Sequence, residues 1–116
     1  MVLVDTSVWV NHLRKGNIQL KELLLNGEVV CHPFVIGELA CGHIKNRFEI
    51  LTLLQALPEA PTIDLAEYLY FIKQNHLSGI GMGFVDVHLL ASAKLSGIPL
   101  WTNDKRLKEA ALKLNE

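Results

Sequence analysis

The sequence contains no apolar stretch approaching the roughly 20 residues needed to span a bilayer, because Arg14, Lys15, Lys21, Glu22 and Glu28 interrupt its leucine-rich start. That excludes a membrane-spanning helix. It also lacks a strong excess of either charge. Eleven basic and 12 acidic residues leave a net charge of -1, which argues against a strongly basic, salt-driven nucleic-acid binder but leaves local phosphate contacts open. Cysteine is scarce. Cys31 and Cys41 both sit in apolar surroundings, so both are expected to be reduced core residues. The five histidines, His12, His32, His43, His76 and His88, show no paired metal-ligand spacing, so packing or surface roles are expected. No internal repeat, low-complexity tract or linker divides the chain. The opening MVLVDTSVWV is too acidic and short for a secretion signal, so a cytoplasmic protein is expected. What remains is 116 residues, 50% hydrophobic, which fit one domain (1–116) able to bury a core without staples.

Short apolar runs alternate with helical patterns. Residues 1–4 form a valine-rich run typical of a strand buried on both faces, and Asp5 ends it. Thr6 or Ser7 is positioned to cap a helix carrying Val8, Trp9, His12 and Leu13, which Gly16 stops. A second helix is predicted over residues 18–25, a strand over 28–32, and a helix over 34–41 entered through Pro33. Phe48, Leu51, Leu54 and Leu57 predict an amphipathic helix over 45–57, ended by Pro58 and Pro61. A brief strand is expected at Ile63. Beyond it lies a helix capped by Asp64 or Thr62, with Leu65, Tyr68, Leu69 and Ile72 facing inward. Residues 76–83 are glycine-rich and read as a loop; a helix over 84–95, a strand over 98–101 and a charged helix over 105–114 complete the chain. This alternation predicts an α/β fold, a parallel sheet with helices on both faces. Ligands bind such sheets at the carboxyl ends of the strands.

Four of the acids stand apart from the rest. Glu22, Glu49, Glu67 and Glu109 lie beside polar neighbours on amphipathic helices, as solvated charges do. Glu38 instead sits among Phe34, Val35, Ile36, Leu39 and Ala40, and Asp86 sits within an equally apolar run from Phe84 to Ala91. An unpartnered desolvated carboxylate costs several kcal/mol or shifts its pKa, so it needs a cation, donors or a cleft. Asp5 and Asp104 follow strands. Each acid also has an ordinary structural explanation. Asp104 can cap the last helix, Asp86 can complement its helix dipole, Asp5 can merely end a strand, and Glu38 can face water. The conjunction is what carries weight, because two strand exits and two helix starts are places that a parallel sheet gathers at one edge. Clustered carboxylates repel unless a divalent cation neutralises them, and oxygen ligands alone suit magnesium or manganese better than zinc. Such a metal supports phosphodiester hydrolysis.

Four segments carry a family resemblance: LVDTSVWV at residues 3–10, GELACG at 37–42, GFVDVHLLASA at 83–93 and LWTNDKRL at 100–107. Through them the chain resembles a PIN-domain ribonuclease, particularly the VapC toxins of toxin–antitoxin pairs. The resemblance implies a three-layer α/β/α sandwich with a short central parallel sheet, an RNA substrate, a Mg2+ or Mn2+ cofactor, a homodimer and an antitoxin that blocks the site. It makes Asp5, Glu38 and Asp86 the principal metal ligands and Asp104 the fourth acid. Thr6, Thr102 and Asn103 are supporting candidates.

Other patterns yield less. Gly79, Gly81 and Gly83 follow a helix rather than a strand and have the wrong spacing for a dinucleotide loop. Arg14, Lys15, Lys45, Arg47, Lys105 and Arg106 could contact phosphates or could simply be solvated, and Trp9 and Trp101 fit core packing better than base stacking. The apolar residues over 48–57 and 68–72 exceed what a small sheet needs, which independently suggests a dimer. A dehalogenase-type phosphatase would need an acid where Ser7 stands, and a receiver domain would need a strand near residue 50. The remaining alternative is a catalytically silent PIN-like module that binds RNA or protein.

Overall fold

Val2, Leu3 and Val4 leave no polar face on the first strand, so that strand has to be covered on both sides. In the computed structural model, which describes residues 1–115, it is the middle strand of three. β1 (Val2–Val4) pairs in parallel with β2 (Val29–Val30) through Val2↔Val29 and Leu3↔Val30. On its other side it pairs with β3 (Leu100–Trp101) through Leu3↔Leu100 and Val4↔Trp101. The order β2-β1-β3 makes the chain cross the sheet first one way and then back. Right-handed connections in opposite directions put their helices on opposite faces, which gives the expected three layers.

The connection from β1 to β2 holds α1 (Thr6–Lys15) and α2 (Ile18–Leu25). The N-cap of α1 is Asp5 rather than Thr6 or Ser7. The Asp5 carbonyl already accepts from the amides of Val8 and Trp9, so both hydroxyls fall in the first turn and are free for other partners. Gly16, at φ 79°, ends α1, and Asn17 caps α2 by accepting from the Leu20 amide at 2.9 Å.

The return to β3 holds α3 (Pro33–Cys41), α4 (Arg47–Ala56), α5 (Leu65–Gln74) and α6 (Phe84–Ser96), and α7 (Lys105–Leu114) follows. No strand forms at Ile63. The pairing falls instead at Glu59, opposite Cys31, where the Cys31 amide donates to the Pro58 carbonyl and the Ala60 amide to the Cys31 carbonyl. Pro61 has no amide hydrogen to extend this ladder. Helix α4 starts at Arg47 rather than residue 45, because Asn46 is left-handed at φ 54°. A reciprocal capping box between Asp64 and Glu67 opens α5.

Helix α6 joins two apolar clusters. Leu89 and Ala93 pack with Leu3, Val8, Trp9 and Val35, while Val87 and Leu90 pack with Tyr68, Leu77 and Leu107. Three expectations about burial need correction. Leu65 and Leu69 are 67% and 56% exposed, since α5 turns only the Tyr68, Phe71 and Ile72 stripe inward. Cys41 is exposed, because the inward stripe of α3 is Val35 and Leu39. Cys31 is buried as expected, and burial pushes its thiol up to about 11. Among the described residues no helix is long and apolar enough to cross a membrane.

His32 is fully buried as the N-cap of α3; its Nδ1 accepts from the Phe34 amide at 3.0 Å, and its Nε2 has no partner among the described residues. Burial, reinforced by the neighbouring His88, lowers its pKa from 6.5 to about 4. Between those values the unfolded chain binds more protons than the folded one, so stability must fall as pH drops through that window. Urea denaturation should show the wild type losing about 2 kcal/mol more than His32→Asn between pH 7 and pH 5. Asparagine keeps a cap acceptor without the titration. Equal pH dependence in the two proteins would contradict the assignment.

Candidate functional site

Asp5 stands one residue beyond the end of the central strand, where its amide still donates to the Trp101 carbonyl of β3 at 2.9 Å. Its side chain is only 6% exposed. Two hydroxyls hold it: Ser7 Oγ donates to Asp5 Oδ2 at 2.8 Å, and Thr102 Oγ1 donates to the same oxygen at 2.7 Å. Each hydroxyl is fixed in turn by a backbone donor. The Asn103 amide donates to Ser7 Oγ at 3.0 Å, and the Asp104 amide donates to Thr102 Oγ1 at 3.0 Å. The segment after β3 is therefore latched onto the first turn of α1 around one carboxylate.

Glu38 lies on the exposed side of α3, where Thr6 Oγ1 donates to its Oε1 at 2.6 Å. Asp86 occupies the first turn of α6 and accepts the Gly83 amide on Oδ2 at 3.1 Å. A Cβ at Gly83 would stand 3.3 Å from that oxygen, so glycine leaves the carboxylate its room. Asp104 caps α7, its Oδ1 accepting from the Leu107 amide at 3.0 Å. The structural roles considered for Asp86 and Asp104 are thus real, but each occupies one carboxylate oxygen. Among the described residues no hydrogen bond reaches the other oxygen of any of the four acids.

Asp86 registers the proximity of the other three. Burial raises its pKa above the ordinary carboxylate value, the charges of Asp5, Asp104 and Glu38 raise it further, and the Gly83 amide works against them. The four acids come from the end of β1, α3, the start of α6 and the cap of α7. Among the described residues, however, no three histidine, cysteine or acidic side chains are close enough together to hold a metal ion. The carboxylates share a field without forming a closed ligand set.

Thr6 and Thr102 contact acids as the sequence suggested. Asn103 contributes its backbone amide rather than its side chain. Ser7 is the residue that sequence reasoning missed as a site residue: its hydroxyl holds Asp5, and a hydroxyl two residues after a buried acid is a usable signal. Near the acids, the Arg106 side chain packs against Gly81, whose φ of 83° also favours glycine. Beside Glu38 a cleft of about 630 Å³ has Leu13 and Ile50 in its walls and Arg14 and Lys45 at its edge.

Because the Thr102 hydroxyl serves both Asp5 and the Asp104 amide, Thr102→Val leaves a buried carboxylate short of a donor. Chemical denaturation should show a loss of about 1–3 kcal/mol, and a smaller loss for Thr6→Val, whose partner Glu38 is exposed. A Thr102→Val protein as stable as the wild type would show that the latch contributes nothing.

Comparison with known proteins gives three results. The family model for the PIN domain matches residues 2–113. Ribonuclease VapC32 of Mycobacterium tuberculosis, from strains CDC 1551 / Oshkosh and ATCC 25618 / H37Rv, is 50% identical over 111 residues, covering 95% of this chain and 90% of the relative. Among solved structures, PAE2754 from Pyrobaculum aerophilum has a TM-score of 0.67 at 16% identity, over 94% of this chain and 83% of that one, a likeness of fold.

Proposed function

Because the chain belongs to the PIN-domain family, we propose that it is an endoribonuclease of the VapC type that hydrolyses RNA phosphodiester bonds with a divalent metal held by Asp5, Glu38, Asp86 and Asp104. The observation that carries this reading is the environment of Asp86, a half-buried carboxylate held by the Gly83 amide, whose pKa is raised first by burial and then by the charges of three acids drawn from distant parts of the chain. The donor set fits the metal: every candidate ligand is a carboxylate oxygen, a hard donor suited to Mg2+ or Mn2+. Asp5, Glu38 and Asp86 are the principal ligands in this proposal, and Asp104 is the fourth acid. When bound, such an ion supplies a more acidic water and neutralises phosphate charge.

The chain's own residues do the orienting. Ser7 and Thr102 fix Asp5 through one oxygen and leave the other open, and Thr6 does the same for Glu38. Asp104 is exposed, so it can reach solvent or substrate on the open side. Arg106, beside the glycine loop, is a candidate phosphate contact. Residues 1–116 act as one catalytic unit in this reading. Its partners are RNA and a cognate antitoxin that covers the acids, in the cytoplasm and without a membrane. A homodimer accords with the apolar side chains left exposed on α4 and α5, among them Phe48, Leu53, Leu69 and Tyr70.

One observation favours a second reading, a catalytically silent PIN-like module that binds RNA or protein: the acids do not form a closed ligand set among the described residues. Incubation of a mixed cellular RNA pool with Mg2+, Mn2+ or chelator separates the two. The nuclease reading expects internal cleavage that needs metal and falls at least about 100-fold in Asp5→Asn and Asp86→Asn. Equal cleavage by both variants and the wild type would remove the mechanism, and absence of cleavage by any of them would favour the silent module.

A further inference from the structure

Phe84 opens α6 two residues before Asp86, and it is 56% exposed. Phe34 stands in the first turn of α3, four residues before Glu38 and so on the same side of that helix. The two rings stack on each other, with centroids 5.8 Å apart and planes inclined by 22°. Helix rise separates the Cα atoms of Phe34 and Glu38 by about 6 Å along α3 and those of Phe84 and Asp86 by about 3 Å along α6, where the two-residue spacing turns Phe84 and Asp86 to different sides of the helix.

The exposed ring is not free to swing. Phe84 meets His88 edge-on at 4.5 Å and Tyr68 at 5.1 Å, and Phe34 meets His88 at 4.7 Å. His88 and Tyr68 are themselves buried and stacked on each other at 4.6 Å. A wholly apolar ring, held in one orientation by three others and open to water on its outer side, offers a flat surface on the two helices that carry Glu38 and Asp86. Unpaired bases stack on such rings whatever their identity, because every base has a π-face.

We propose that Phe84, backed by Phe34, is a stacking platform for an unpaired RNA base beside the scissile phosphate, and so positions single-stranded substrate against the acids. This rests on the ribonuclease reading above. The link to Glu38 favours a base over a protein side chain as occupant, since Phe84 stacks on Phe34, which shares a side of α3 with that acid.

The test uses a fluorescent, unstructured RNA oligonucleotide and the full chain in an Asp5→Asn background with Mg2+, so that binding is read without cleavage. Fluorescence anisotropy should show Kd weakened about 5- to 100-fold by Phe84→Ala or Phe84→Leu and restored by Phe84→Trp. In the cleaving protein, Phe84→Ala should raise KM more than it lowers kcat. Affinity unchanged by alanine, affinity preserved by leucine, or no binding by the protein that keeps Phe84 would each overturn the proposal. So would a lower light-scattering mass in Phe84→Ala with RNA affinity intact, which would assign the ring to a protein interface. Phe84-dependent binding without wild-type cleavage would sink the nuclease reading while supporting the platform. Cleavage with Phe84-independent binding would sink the platform alone.

Discussion

Asp5 is a carboxylate at the end of a buried strand, a position that is costly unless donors or a cation answer its charge. Here two hydroxyls answer one of its oxygens, and both come from segments that the parallel sheet makes neighbours: Ser7 from the turn after β1 and Thr102 from the residue after β3. Because those hydroxyls also accept the amides of Asn103 and Asp104, the latch fixes the path of the chain into α7. The placement of Asp104 follows from the same contacts. Much of the site's geometry thus derives from the donors that one buried acid requires.

The other acids follow a common rule. Each is tied through one oxygen to a protein donor, the hydroxyl of Thr6 on α1 for Glu38 and a backbone amide three residues away for Asp86 and Asp104. This anchoring leaves the remaining carboxylate oxygens without hydrogen-bond partners among the described residues. It also explains why the side chains share a field yet stand too far apart to form a closed ligand set among the described residues.

Much of this architecture was legible in the residues. The valine run of β1 and the Asp104 cap of α7 mark their elements by local chemistry, and the helices predicted over 18–25 and 105–114 begin and end where α2 and α7 do. The four acids could be singled out because apolar neighbours or strand exits made them anomalous. What could not be read depends on tertiary contacts. The pairing at Glu59 requires Cys31 to arrive beside it, and the exposure of Leu65, Leu69 and Cys41 depends on which stripe of each helix its neighbours cover. The burial of His32 and His88 within a ring cluster joins residues from α3, α5 and α6 that no spacing rule links.

The central claim is that these acids form one site whose mutual repulsion a divalent cation relieves. Isothermal titration of Mn2+ into the wild type and into Asp86→Asn tests it without reference to any substrate. The account predicts saturable binding by the wild type and affinity at least about tenfold weaker in the variant, as expected when a ligand group is lost. Identical binding by the two proteins, or no binding by the wild type, would contradict it.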